Sequence, residues 1–351
     1  MMFARISYFL TDFKYYLLFL GLTFLIGLIL LFWRRTKFIL CLVASGYTLV
    51  ALFAAGEIYF RYGYDQPDGL GFLKVNQKWH ERHVVFNNYF RRDRQFESQK
   101  QPGEFRIAVM GDSISFGGGI ENPADRFSDL LQTRLRADGF NVAVYNLGVS
   151  GTDTEVQIKD LANFKHLNFD LLIWQYFLND INPATGGEGT QIITTNRDKF
   201  LPHPSLSWLV NRSYFADWLY WRLSAKYDAT FNQLLAADLN AYQKPELISR
   251  HQQVITNFLA QTRKDKLPVV VIIFPFIFQS SLTPKADMIY DQMLAFFESQ
   301  NTTVINLKST FRNYPASKLM ASRFDPHPNE LAHALAAQAL YEKILAYINH
   351  L

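Results

Sequence analysis

"EFRIAVMGDSISFGGG", residues 104–119, decides the fold. An apolar run, Phe105 to Met110, stops at Gly111 and gives way to Asp112 and Ser113. That pattern predicts a short strand entering a turn and then a helix. The glycines at 117–119 raise a phosphate cradle as one reading. It fails on detail: a P-loop ends in Lys-Ser or Lys-Thr, and here Ile120 and Glu121 follow. The Gly-x-Gly-x-x-Gly dinucleotide fingerprint does not fit either. What remains is a serine between a strand end and a helix start, where free backbone N–H groups favour negative charge. The glycines then read as slack beside a nucleophile.

Working outward, the same grammar repeats. "NVAVYNL" (141–147), "DLLIWQYF" (170–177), "PVVVIIFPF" (268–276) and "TVINL" (303–307) read as strands. "DLLIWQYF" is almost continuously apolar, as a strand buried on both faces requires. Between them lie helical patterns: Phe127, Leu130, Leu131 and Leu135; residues 152–164; Ile248 to Thr262; residues 286–299; and an Ala/Leu-rich stretch from 329 to 349. Alternating strands and helices predict an α/β fold, a parallel sheet covered by helices on both faces. Residues 183–245 interrupt the alternation with glycines, prolines and the aromatic cluster "SYFADWLYW" (213–221), and read as an insertion or cap. The cluster has two readings, a substrate wall or plain packing on the main domain.

The apolar content is uneven. Residues 15–33 and 38–56 carry no charge, and each is long enough to cross a bilayer as a helix of about 20 residues. A signal peptide fits poorly, since its apolar core is about 7–15 residues and no small-residue cleavage site follows. The expectation is two transmembrane helices, about 15–33 and 38–58, in an anchor spanning 1–60. A juxtamembrane connector of low regularity at 61–103 and a large α/β domain at 104–351 would follow. The link "RRTK" holds Arg34, Arg35 and Lys37, against Arg5 and Lys14 offset by Asp12 before the first run. Basic short loops stay in the cytoplasm, so a two-pass hairpin would place the large domain outside, periplasmic or extracellular. Of the net charge of +4, three units lie in residues 1–60, so no basic field for nucleic acid exists beyond them. Cys41 is the only cysteine, which excludes an intramolecular disulfide and a cysteine metal cluster and fits a bacterial envelope protein. "HERH" (80–83) pairs His80 with His83 but offers no third ligand nearby, so it reads as surface.

Open parallel sheets bind ligands beyond the carboxyl ends of their strands. Four segments fall there: Gly111 to Ser113, Gly148 to Gly151, Asn179 with Asp180, and Pro275. A nucleophilic serine needs a base. Among eight histidines, His327 stands out in "RFDPHPNELAH" (323–333), between two prolines and two residues after Asp325. A bland alternative is a proline-rich turn leading into a helix capped by Asn329.

Taken together, "GDSIS", "NLGVSG", "FLND" and "DPHPN" resemble, in order, the four blocks of the SGNH hydrolases, also called GDSL-type esterases and lipases. The resemblance covers about residues 104–349 and implies a flavodoxin-like three-layer α/β/α sandwich. It implies Ser113 as nucleophile, His327 as base and Asp325 as its orienting acid. It also implies an oxyanion hole from the Ser113 and Gly151 N–H groups and the Asn179 amide, with no cofactor or metal. Asp112 and Asp180 read as structural. Two departures stand out. Phe177 occupies the place where the family's third block has glycine, and only Pro326 separates Asp325 from His327, where the family has two residues. The expected activity is a membrane-anchored serine esterase cleaving acyl esters of envelope glycans or lipids through an acyl-serine intermediate. An O-acyltransferase using the same serine and histidine, and a non-catalytic envelope binding or assembly module, are the alternatives.

Overall fold

The structure is a computed structural model, and it describes residues 18, 20–29, 37–199, 201–224, 226–278 and 283–348. The chain divides into two compact units, Met1–Asp65 with Pro202–Leu223, and Gln66–Leu201 with Ser224–Leu351.

In the first unit, the second apolar run forms a helix, Lys37–Ile58, that continues into a wider turn, Tyr59–Gly63. Its Cys41–Gly63 stretch is the one described helix long and apolar enough to cross a membrane. Of the first apolar run, Leu20–Ile29 is a shorter apolar helix, while Arg34 and Arg35 of the expected link lie outside the described residues. The aromatic cluster packs here. Phe215 meets Phe53 edge-on at 5.3 Å and stacks on Phe60 at 5.7 Å. It also covers Gly56, where a Cβ would come within 2.9 Å of the ring. Glu57 accepts hydrogen bonds from the Ser213 hydroxyl at 2.6 Å and the Phe215 N–H at 3.0 Å. Packing is therefore what the aromatics do, and their partner is the apolar helix.

The second unit is built on five parallel strands: β1 (Phe105–Met110), β2 (Val142–Asn146), β3 (Leu171–Tyr176), β4 (Val269–Ile273) and β5 (Thr303–Asn306). Their order is β2-β1-β3-β4-β5. This is the flavodoxin-like doubly wound arrangement, in which the strand order reverses beside β1. The register runs Asn146, Val109, Ile173, Val270, Thr303 across the sheet. Alternate residues face opposite sides because a strand has a period of two. Ile107, Val109 and Ile173 join a core with the helices Phe127–Ala137 and Glu330–Ile348. Ala108, Met110 and Trp174 join another, with helices that include Pro245–Lys264 and Thr283–Ser299. The three layers follow directly. Each fully buried Leu, Ile or Val contributes about 1.5–3 kcal/mol, and β3 is buried at every position.

A small antiparallel pair, β6 (Met320–Ser322) and β7 (Asp325–Pro328), lies before the last helix. The segment 183–245 is mainly helical, including Glu188–Lys199 and Lys226–Ala241. Residues 66–103 are more ordered than their sequence implies. They contain a helix, Lys74–His83, and the buried Arg92. The Arg92 guanidinium donates to the carbonyls of His83, Gly117, Ile120 and Glu121 and lies 5.3 Å from the Trp79 ring centre. Such a clamp depends on partners distant in sequence, so no local periodicity announces it.

Candidate active site

Ser113 opens a single helical turn, Ser113–Phe116, directly beyond β1. Asp112 caps that turn by accepting the Ile114 N–H at 2.9 Å, which supports its structural reading. A second fixing group comes from β3. Gln175 Oε1 accepts from the Asp112 N–H at 3.0 Å, the Ser115 N–H at 3.3 Å and the Ser115 hydroxyl at 3.1 Å. Gln175 is the lone polar side chain in an otherwise apolar strand, and that contrast is the signal that could have singled it out. Gly111 and Gly148 make the approach possible. A Cβ at Gly111 would sit 2.3 Å from Gln175 Oε1, and one at Gly148 would sit 2.5 Å from the Phe116 nitrogen.

The glycines after Ser113 are not slack. Gly117 ends the turn in the left-handed region (φ +82°), with Arg126 and Arg92 against it. A Cβ on Gly118 would lie 3.2–3.3 Å from three imidazole atoms of His327, and one on Gly119 would lie 2.5 Å from the Ala321 Cβ. The imidazole leaves little room for a side chain at Gly118, and Ala321 leaves none at Gly119.

His327 arrives on β7. Its Nε2 lies 2.8 Å from the Ser113 Oγ. Its Nδ1 hydrogen-bonds the Asp325 carboxylate, which also accepts the His327 backbone N–H at 3.0 Å. The shortened Asp-Pro-His spacing is explained by the backbone. In a strand, residues i and i+2 point to one side, so a single intervening residue brings carboxylate and imidazole together. Burial disfavours the imidazolium, but the Asp325 charge and hydrogen bond outweigh it. With added pull from Asp112 and Asp68, they hold the His327 pKa above its ordinary value.

Asp68 is a residue that sequence reasoning missed. It is buried beside Asp325, and burial pushes its carboxyl up to about 7 despite hydrogen bonds from the Leu70 and Leu73 N–H groups. The Tyr227 hydroxyl joins Asp68 to the Phe324 carbonyl, directly before Asp325. Neither residue belongs to a recognisable motif, because the network exists only after residues 68, 227 and 324 converge.

Gly151 follows β2 with φ +77°, and open space lies where a side chain would project. Asn179 follows β3 in a turn tied by Asp180, which accepts the Phe177 N–H at 3.0 Å and the Gln157 amide at 2.9 Å. Burial and the nearby Asp112 hold the Asp180 pKa well above the usual carboxylate range, consistent with a turn-holding role. Phe177 lies against Phe276, with ring centres 4.5 Å apart. Ser113, Gly151, Asn179 and His327 line one cavity of about 260 Å³. A hydroxyl, an imidazole backed by a carboxylate, and two further polar groups thus converge on one space, as acyl transfer requires. His80 of "HERH" is exposed, its Nδ1 bonded to the Asn76 carbonyl, and no group of three or more metal-ligating side chains gathers among the described residues.

A family model, the GDSL-like lipase/acylhydrolase family, matches residues 109–335. The chain belongs to that family. The protein is a serine hydrolase of the esterase/acylhydrolase type. Among solved structures, this hydrolase is similar to the psychrotrophic esterase EstA from Pseudoalteromonas sp. (14% identity, 70% of this chain and 98% of that one, TM-score 0.42). It is also similar to the acetylxylan esterase Axe2 from Geobacillus stearothermophilus (15%, 68% and 94%, TM-score 0.41). A lipase/acylhydrolase from Enterococcus faecalis shows a like degree of similarity (14%, 69% and 96%, TM-score 0.40). No curated protein matches the hydrolase.

Proposed function

We propose that this hydrolase is a membrane-anchored esterase whose Ser113 forms an acyl-enzyme with O-acylated envelope glycans or lipids outside the cytoplasm. The observation that carries the reading is the 2.8 Å contact between His327 Nε2 and Ser113 Oγ, with Asp325 behind the imidazole.

His327 takes the Ser113 proton as the Oγ bonds to the acyl carbon. The carbonyl oxygen becomes an oxyanion facing the Ser113 and Gly151 N–H groups and the Asn179 amide. The intermediate collapses as His327 gives the proton to the departing alkoxide, releasing the alcohol. A water then attacks the acyl-serine by the same steps, delivering its proton through His327 and freeing the acid. Asp325 keeps the Nδ1 proton in place and steadies the imidazolium.

The anchor follows from composition: the span at Cys41–Gly63, the first apolar run at 15–33, and the basic link between them. The proposed organisation is an anchor at 1–60, a connector at 61–103 and a catalytic domain at 104–351 with an insertion at 183–245.

The chemical test treats detergent-solubilised full-length protein with a fluorophosphonate probe beside Ser113→Ala. The wild type labels and hydrolyses a short aryl ester, and the variant does neither; a wild type that does neither refutes the mechanism. For topology, Ser205→Cys in a Cys41→Ser background reacts with an impermeant maleimide on intact cells. Labelling only after lysis overturns the orientation.

A further inference from the structure

Asp238 lines the same cavity as Ser113 and His327 but has no part in the chemistry derived above. It sits on the insertion helix Lys226–Ala241. On that helix Phe231, Leu234, Leu235 and Asp238 follow one another at helical spacing and all reach the cavity. An apolar stripe therefore ends in an acid.

Asp238 is 7% exposed, and no carboxyl hydrogen bond or ion pair is found for it among the described residues. Its side chain lines the cavity, so a bound group is what can pair with it. Burial, reinforced by Glu188, raises its pKa. The Asp238 carboxyl is a hydrogen-bonding group presented to the cavity. The other polar groups lining that space beyond the catalytic set include Ser150, Thr152, Asp153, Asn182 and Thr190, while neither Lys nor Arg lines it. A carboxyl among hydroxyls, amides and a second acid, with no cation beside it, matches an uncharged group that has a hydrogen to donate. A substrate hydroxyl is such a group.

We infer that Asp238 is the specificity-determining end of a subsite for a hydroxylated ester, such as an acylated polyol or sugar, and hydrogen-bonds a substrate hydroxyl away from the scissile bond. This rests on the esterase reading and narrows its substrate class. A site built to bind a hydroxyl rejects an analogue lacking it, because its own polar group is then left unpaired.

The test uses full-length protein and ester pairs that differ by one hydroxyl: 2-hydroxypropyl butyrate against propyl butyrate, and aryl 3-hydroxybutyrate against aryl butyrate. In the wild type at least one pair shows a preference in kcat/KM of about ten-fold or more for the hydroxylated member. Asp238→Leu abolishes the preference while hydrolysis of the plain aryl ester and fluorophosphonate labelling persist. Asp238→Asn, which keeps a donor and an acceptor, retains it. A wild type that hydrolyses plain esters without any preference overturns the subsite and leaves the esterase reading intact. So does a preference that survives Asp238→Leu, or one lost equally in Asp238→Asn, which keeps a hydrogen-bonding group at the same place. Failure of the wild type to label or to cleave any ester overturns the esterase reading itself. The wild-type comparison stands even if the leucine variant does not fold.

Discussion

His327 Nε2 lies 2.8 Å from the Ser113 hydroxyl across 214 positions of sequence. The serine comes from the end of the sheet's second spatial strand, the histidine from a separate two-stranded element before the last helix. In the proposed mechanism neither acts without the other. Ser113→Ala and His327→Ala should each lower kcat by roughly 10⁴-fold or more, and the double variant should lose little beyond either single one. Steady-state kinetics on a short aryl ester, with circular dichroism to confirm that each variant folds, checks this. Multiplying losses would show that the two side chains act separately.

The base must be neutral to accept the serine proton. Because its environment holds the His327 pKa above the ordinary value, kcat/KM should rise through an acid limb centred above about pH 6.5. Asp325→Asn should move that midpoint down and cost about 10²–10⁴-fold in kcat. Asp68→Asn should move it down less, with a smaller rate cost. Stability runs the other way. A pKa raised on folding contributes stability that is complete below about pH 6.5 and is lost as pH passes through the folded value. Paired pH–rate and pH–denaturation profiles test both signs.

Gly118 supports the imidazole by leaving room for it. Gly118→Ala adds a methyl 3.2–3.3 Å from the ring, which must then tilt or retreat. Displacements near 1 Å can cost about 100-fold in rate. The expected outcome is a kcat loss of about 10–100-fold with under about 1.5 kcal/mol of destabilisation. A loss of stability without loss of rate would assign Gly118 to packing alone.

Arg92 binds the loop that follows the nucleophile from outside the sheet. Arg92→Ala orphans several buried carbonyls at once and should cost about 3 kcal/mol in urea denaturation. Arg92→Lys should recover little, because an ammonium lacks the planar fork that serves these acceptors together. Full recovery by lysine would reduce the clamp to a simple charge.

The sheet was legible because its strands are buried on both faces and so read as apolar runs. "DLLIWQYF" became Leu171–Tyr176, within a residue at each end. Ser113, Gly151, Asn179 and His327 were legible because each follows a strand end or precedes a helix in a short distinctive block. The glycine run was misread, since the imidazole that excludes side chains there comes from more than 200 residues away. Arg92, Asp68 and Tyr227 were invisible for the same reason. Each is ordinary in its local stretch and acquires meaning only from what folds against it.

The distance in sequence between nucleophile and base also orders events during synthesis. At about 5–20 residues per second, a ribosome needs roughly 10–40 s to pass from Ser113 to His327. A nascent chain therefore holds the serine, its helical cap and both expected hole-forming turns well before any base exists to wake it. Hydrolytic competence arrives late and all at once, so a chain still being made attacks no ester it meets.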